Sequence, residues 1–280
     1  MSQMPPFSQT VTGRPFIKMH GLRNHFVIVD ARTDPFVPSV EEVIRICDPE
    51  TGVGGDQLIT IEPSALADAF MRIINVDGRE AEACGNATRC VAWLLLEEAG
   101  ADQVVLETRT GKIECKRTGN EEVSCEMGAV SMDWQAIPLG REVDTLHVDY
   151  VAGPLDDGIA LNIGNPHIVF FVDDVDAVDL EALAPSIQQD ALFPEQINVG
   201  VARLLASDHL QSKVYERGAG LTTACGSGAC VAACAALARG LTDERRIRVS
   251  MPAGDVIIDI SEEGVATMTG PVAYCFSGSI

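Results

Sequence analysis

Short apolar runs separated by turn residues dominate this chain. FVIVD (26–30), QLITI (57–61), MRIINV (71–76) and QVVLET (103–108) have the length and β-branched content of strands. NPHIVFFV (165–172) adds another, and IRVSMPAGDVIIDI (247–260) predicts a hairpin turning through Pro-Ala-Gly-Asp. Helical patterning is rarer. VEEVIRICD (40–48) predicts one helix, and two apolar helices are predicted directly after Cys84 and Cys225. Between Ser131 and Gly140 the apolar content thins, and Pro138 and Gly140 predict a connection.

The two cysteine-led helices have related surroundings. Residues 73–98 read IINVDGREAEACGNATRCVAWLLLEE and residues 214–240 read VYERGAGLTTACGSGACVAACAALARG. Each runs apolar strand, glycine-bearing loop, Ala-Cys-Gly, apolar helix. Asn75 and Glu216 stand at matching distances before their cysteines, and the cysteines lie 141 positions apart, half the chain. Matching order over so long a stretch predicts two copies of one unit.

Composition narrows the partners. A hydrophobic content of 46% in 280 residues suits one large domain or two smaller ones and excludes intrinsic disorder. Twenty basic against 41 acidic residues leave a net charge of −21, which repels nucleic acid and anionic membranes and favours a neutral or cationic small partner. A plain solvated acidic surface has the same signature. No apolar run is long enough to span a bilayer. The N-terminal MSQMPPFSQTVTGRP lacks a signal core and reads as a ragged extension, so a cytoplasmic location is expected. The nine cysteines are then expected to be thiols. No C-x-x-C pair suggests zinc. Cys47, Cys90, Cys115, Cys125, Cys230, Cys234 and Cys275 are expected to pack as small buried hydrophobes.

Cys84 and Cys225 differ because each opens a helix. The first N–H groups of a helix lack internal partners and carry partial positive charge, so a thiol there is expected to have its pKa lowered. The same N–H groups hold a carboxylate. Inverting an sp³ carbon that bears hydrogen needs a base on one face and an acid on the other, and two facing cysteines, one thiolate and one thiol, meet that demand. Charge developing on the substrate carboxylate would be held by helix-start donors, each worth roughly 3 kcal/mol. No metal or pyridoxal is needed in principle.

The combination MHGLRNHF (19–26), GVGGDQ (52–57), NVDG (75–78), ACGN (83–86), GNPH (164–167), INVG (197–200), YERGAG (215–220) and ACGSGAC (224–230) resembles the diaminopimelate epimerase family, from about Pro15 to the C-terminus. The resemblance implies a cofactor-free isomerase of lysine and cell-wall precursor biosynthesis, interconverting the L,L and meso isomers. It implies Cys225 as base and Cys84 as acid in the L,L-to-meso direction, with His167 and Glu216 supporting the chemistry. Backbone N–H groups of Gly85, Asn86, Gly226 and Ser227 would hold the reacting carboxylate. Asn24, Gln57, Asn75, Asn165, Asn198, Glu216 and Arg217 would hold the rest of the substrate. Side-chain amides suit such a zwitterion because they both donate and accept, and Arg217 suits the distal carboxylate. Near the N-terminus two residues depart from the family: Arg23 replaces a glycine and His25 an aspartate. If that glycine position requires positive φ, Arg23 is strained, and His25 removes a carboxylate that could order the turn. Phe276 is a third departure, standing where the family often has a tyrosine linked to dimerisation; a homodimer through that region is still expected from the resemblance.

The expected fold is α+β and duplicated, each half a curled mixed or antiparallel sheet wrapped around a central helix. The expected halves are residues 1–130, with 270–280 returning to them, and 131–269. Two other readings are weighed. A proline or hydroxyproline racemase also uses facing cysteines, but its substrate has no second amino-carboxylate end for Glu216 and Arg217. A non-catalytic thiol protein that senses oxidation, with Cys84 and Cys225 forming a disulfide, would also explain the cysteines, and epimerisation by the reduced protein is what separates the two.

Overall fold

The computed structural model describes residues 13–280. The expected N-terminal extension lies almost wholly outside the described residues. The chain divides into two compact units, one running to Cys125 and including Gly270–Ile280, the other Glu126–Thr269; both boundaries fall inside strands, and each such strand is counted with the unit that holds its first residue.

The first unit is built from β1 (Pro15–Gly21), β2 (Asn24–Asp30), α1 (Val40–Cys47), β3 (Gln57–Glu62), β4 (Ala69–Asn75), β5 (Glu80–Ala81), α2 (Gly85–Ala99), β6 (Gln103–Thr108), β7 (Gly111–Gly119) and β8 (Glu122–Ala129). Strands β1 and β2 pair antiparallel, β2 and β3 parallel, and β3 with β4 antiparallel. Strand β4 then takes β5 antiparallel and β6 parallel, and β6, β7 and β8 follow as an antiparallel meander.

The second unit holds β9 (Ile159–Asn162), β10 (Pro166–Phe171), α3 (Leu180–Gln188), β11 (Asn198–Ala206), β12 (His209–Glu216), β13 (Gly220–Thr222), α4 (Gly226–Ala238), β14 (Arg246–Met251), β15 (Gly254–Ile260) and β16 (Val265–Pro271). Its pairings repeat the first unit step for step: antiparallel, parallel, antiparallel, antiparallel, parallel, antiparallel, antiparallel. The helices fall in the same intervals. The duplication expected from the cysteine segments therefore extends through the whole topology. The last strand, β17 (Ala273–Ser279), pairs antiparallel with β1.

Each unit encloses one helix. Helix α2 is buried from Asn86 to Leu96 and lies against β1, β2, β4, β6 and β7. Helix α4, rich in Ala, Gly and Cys, lies against β9 to β12, β14 and β15. A helix apolar all round can exist in water only if it is wrapped, and the curled sheet supplies the wrapping. By contrast α1 is amphipathic and closes its N-terminus with a capping box, in which Ser39 accepts from the Glu42 N–H and Glu42 accepts from the Ser39 N–H.

Six of the seven cysteines expected to pack in the core do so; Cys275 is exposed. Position 275 lies on the exposed stretch of β17, and an edge-facing strand position overrides the side chain's apolar preference. Burial pushes the Cys47 thiol up to about 11 and the Cys234 thiol up to about 12, so both are inert at neutral pH. Cys115 and Cys125 face each other across β7 and β8 with sulfurs 3.0 Å apart. Among the described residues, no helix is long and apolar enough to cross a membrane.

Candidate active site

The expected site residues gather into two clusters, one in each unit, and occupy equivalent positions. Asn24, Gln57, Asn75 and Cys84 lie 141 residues before Asn165, Asn198, Glu216 and Cys225 respectively. In both units these positions fall at the start of the strand pair, at the end of the long hairpin strand, and at the helix cap.

In the first unit Cys84 is the N-cap of α2, in extended conformation, and is partly exposed. Its sulfur lies 3.6 Å from Asn24 Oδ1, and Asn86 Nδ2 donates to the same oxygen at 3.3 Å. Asn24 is itself held by Asp56, whose Oδ2 accepts from Asn24 Nδ2 at 3.0 Å and from the His25 N–H at 2.7 Å. The carboxylate that orders this turn is therefore Asp56, and His25 in place of an aspartate leaves the loop anchored. His25 packs edge-on against His20 at 5.0 Å, and burial, then His20, lower its pKa. Arg23 has φ +61°, the left-handed conformation in which a residue with a Cβ is strained. Gln57 and Asn75 are cross-strand partners, and Gln57 Nε2 donates to Asn75 Oδ1 at 2.9 Å. Gln57 Oε1 is buried with no hydrogen-bond partner, an acceptor left open to a donor. Inside α2, Arg89 is fully buried and donates to Asn86 Oδ1 at 2.7 Å, fixing the helix start.

The second cluster is more buried, and its cysteine bonds to a carboxylate. Cys225 caps α4 through its sulfur, which accepts from the Gly228 N–H at 3.3 Å, and lies 3.5 Å from Ser227 Oγ. His167 sits in the parallel register opposite Asn198. Its Nε2 is 3.1 Å from both Asn165 Oδ1 and Ser227 Oγ. Asn198 Oδ1 accepts from the Arg217 N–H at 2.8 Å, and Arg217 Nη1 donates to the Glu195 carbonyl at 2.9 Å. Glu216 ends β12 and accepts from the Thr222 hydroxyl and from Cys225.

The protonation states correct one expectation. The thiol of Cys225 is pushed well up, by burial first and by the negative charge of Glu216 second. The helix start does act in the expected direction, since the Ser227 and Gly228 bonds favour the thiolate, but desolvation and a neighbouring carboxylate outweigh them. Cys225 therefore rests as a neutral thiol. Burial likewise raises Glu216 and lowers His167 to about 3, so His167 is a neutral ring with Nδ1 unpartnered.

Gly85 and Asn86 open α2, and Gly226 and Ser227 open α4, so all four N–H groups belong to helix starts, where an anion is favoured. Among the described residues, no three His, Cys, Asp or Glu side chains converge as metal ligands. Phe276 is 45% exposed, its ring edge-on to Phe16 at 5.9 Å. Asp56, Arg89 and Thr222 were not singled out from the sequence. Asp56 lies within GVGGDQ, and Arg89 is a lone charge in an apolar helix, which was a usable signal.

Residues 16–133 and 159–275 match the family model described as diaminopimelate epimerase. The chain belongs to the diaminopimelate epimerase family. It is thus an isomerase by family. It is 47% identical over 269 residues to a diaminopimelate epimerase of Rhodospirillum centenum, covering 95% of this chain and 92% of that one. To the enzyme of the same name from Phenylobacterium zucineum it is 44% identical, over 96% and 98% of the two chains. Among solved structures, a hydroxyproline epimerase from Agrobacterium vitis shares the fold with a TM-score of 0.68 at 13% identity, covering 97% of this chain and 93% of that one. The match to the family spans both cysteine clusters.

Proposed function

We propose that this protein interconverts L,L- and meso-diaminopimelate by passing a proton between Cys225, the substrate α-carbon and Cys84. The observation that carries this reading is the equivalence of the two clusters, each a cysteine capping a buried helix beside polar side chains in matching positions. Family membership supports the substrate, and with it a place in lysine biosynthesis. The proposal requires both clusters to serve one substrate.

Proton flow in the L,L-to-meso direction begins at Cys225. The S–H bond breaks toward the Glu216 carboxylate, which gains the proton and leaves a thiolate. That thiolate removes the α-hydrogen. Charge spreads onto the α-carboxylate, which rests on the N–H groups of Gly85, Asn86, Gly226 and Ser227. The Cys84 thiol then delivers a proton to the opposite face. His167, neutral near pH 7, acts by holding Ser227 and Asn165 rather than by carrying a proton. Asn24, Gln57, Asn75 and Asn198 bind the ammonium and carboxylate groups, and Arg217 the distal carboxylate. No metal or organic cofactor takes part. The reading includes a homodimer through the strand that bears Phe276, and a cytoplasmic location.

The shared fold of the hydroxyproline epimerase makes a proline-type substrate the natural rival. Glu216, Arg217 and the amide set favour a substrate with charged groups at both ends. Incubation of the reduced enzyme with L,L-diaminopimelate in heavy water should place deuterium at one α-carbon, and Cys84→Ala and Cys225→Ala should each abolish conversion to the meso isomer. Turnover of hydroxyproline instead, or near-normal turnover in either variant, would refute the proposal.

A further inference from the structure

We infer that Thr222 is a positioning residue for the reaction, holding the Glu216 carboxylate that takes the proton from Cys225. The inference rests on the function proposed above and extends it to a residue outside the expected site.

Two observations meet here. The first is geometric. Strands β12 and β13 form a tight hairpin in which Glu216 pairs with Gly220 and Val214 with Thr222. Across it the Thr222 hydroxyl donates to Glu216 Oε1. Cys225, three residues further on, bonds to the same carboxylate. Thr222 keeps its own proton throughout. It bonds to the ionised form of Glu216, while the proton that moves is the one on Cys225.

The second observation comes from the duplication. At the constant offset of 141, Glu216 corresponds to Asn75 and Thr222 to Ala81. The carboxylate and its hydroxyl donor occur together in the second unit, and the first unit has neither at those positions. A donor kept with its acceptor, in a repeat that otherwise tolerates alanine, marks a role tied to the carboxylate rather than to the hairpin.

The chemistry explains the need. Burial opposes the ionised form of Glu216, and the Thr222 bond opposes that effect. The other groups near Glu216 do not replace it. Cys225, at the start of α4, also bonds to the carboxylate and favours its ionised form, but that bond holds the very proton that moves, so Thr222 is the donor that stays. Arg217 follows Glu216 in the chain, but its guanidinium donates to the Glu195 carbonyl. Without Thr222 the carboxylate would protonate at higher pH and lose its capacity to accept the Cys225 proton.

The test compares Thr222→Val, which keeps the β-branched shape and removes the donor, with Thr222→Ser, which keeps the donor. In full-length reduced enzyme, kcat/KM for L,L-diaminopimelate is measured against pH, with thermal unfolding as a control for folding. Thr222→Val should move the acid limb up by about one pH unit, a loss of roughly tenfold at a fixed pH below that limb. Thr222→Ser should stay within about twofold of wild type, since the bond it retains is the one that sets the ionisation. An unmoved limb in a folded Thr222→Val variant would overturn the inference, as would an equal loss at every pH in both variants. Full activity in Glu216→Gln would instead remove the role proposed for Glu216 itself, separating that failure from a failure at Thr222.

Discussion

Arg23→Gly should stabilise the protein without changing its turnover. Leu22 and Arg23 are the central residues of a two-residue turn between β1 and β2, with φ of +52° and +61°, closed by the pairing of Gly21 with Asn24. Positive φ at both centres suits the twist of a hairpin, and Gly is favoured at the second. A side chain in the left-handed region costs about 1–2 kcal/mol. Leu22 offsets its share by burial, being 7% exposed, whereas Arg23 projects into solvent. Glycine removes the strain at position 23 but frees the unfolded chain, which costs about 0.4–1 kcal/mol. The net gain is about 0–1.6 kcal/mol, centred on about 0.8, or a rise of about 2–3 °C in Tm at that centre for a chain of this size. Thermal unfolding of wild type, Arg23→Gly and Arg23→Ala measures it. Alanine keeps the Cβ and should give no comparable gain. An equal rise in the alanine variant, or a fall with glycine, would show that the left-handed geometry is not the source of strain.

Further outcomes follow from single contacts. Asp56→Ala removes the oxygen that orients Asn24 beside Cys84 and should lower kcat by about tenfold, the scale of one hydrogen bond to a charged group. Asp56→Asn should retain most activity, because both bonds end on one oxygen that an amide can supply; equal losses in steady-state assays would count against an orienting role. Gly228→Ala would bring a methyl within 2.6 Å of Val214 Cγ2 and 3.2 Å of the Cys225 sulfur, so turnover should collapse while β14 to β16 stay folded; wild-type kinetics would contradict the cap geometry. His167 is held neutral by burial, at about 3 against the usual 6.5. The unfolded chain therefore binds the extra proton between those values, and stability present above pH 6.5 should be lost as pH falls toward 3. In His167→Asn, Tm should fall less steeply over that window, and an unchanged slope would argue against a buried neutral ring.

Much of this was legible in the amino-acid order, for identifiable reasons. The strands at β2, β3, β4, β6 and β10 and the hairpin of β14 and β15 announce themselves because alternating or wholly apolar runs end at turn residues. Helix α3 did not. Pro185 interrupts LEALAPSIQ and hides its periodicity, although the duplication places a helix there, in the interval that α1 occupies in the first unit. The cysteine pair was legible because its context is repeated. The acidity of Cys225 was not, because helix-start stabilisation is local while burial and the approach of Glu216 are products of packing. Asp56 and Thr222 stayed hidden for a related reason: a hydrogen-bonded partner is chosen by hairpin register, which an isolated motif does not display.

The two clusters share their scaffold but not their chemistry. At the constant offset, Asn75 meets Glu216, Ala81 meets Thr222 and Phe26 meets His167. These three differences add proton-handling or hydroxyl groups to the second unit, whereas Asp56 and His25 of the first unit meet Ile197 and Pro166. Cys225 thus lies beside a carboxylate able to take its proton, and the Cys84 sulfur lies 3.6 Å from the amide oxygen of Asn24. An amide does not accept a proton near neutral pH, so it can orient a thiol but not discharge it. If both cysteines serve one α-carbon, their resting states need not match even though their backbone settings do. On the proposed mechanism the reaction runs in both directions, so each sulfur acts as base in one and as acid in the other. On that mechanism the harder half of the problem is ionising a buried thiol, and the second unit holds the proposed acceptor, Glu216, in the same fold unit as the sulfur it bonds. Selective alkylation should expose the asymmetry: Glu216→Gln should change the pH profile of Cys225 modification and leave that of Cys84 where it was. Parallel changes at both sulfurs would mean that the carboxylate acts through the whole site, and the division of labour argued from the duplicated positions would fall.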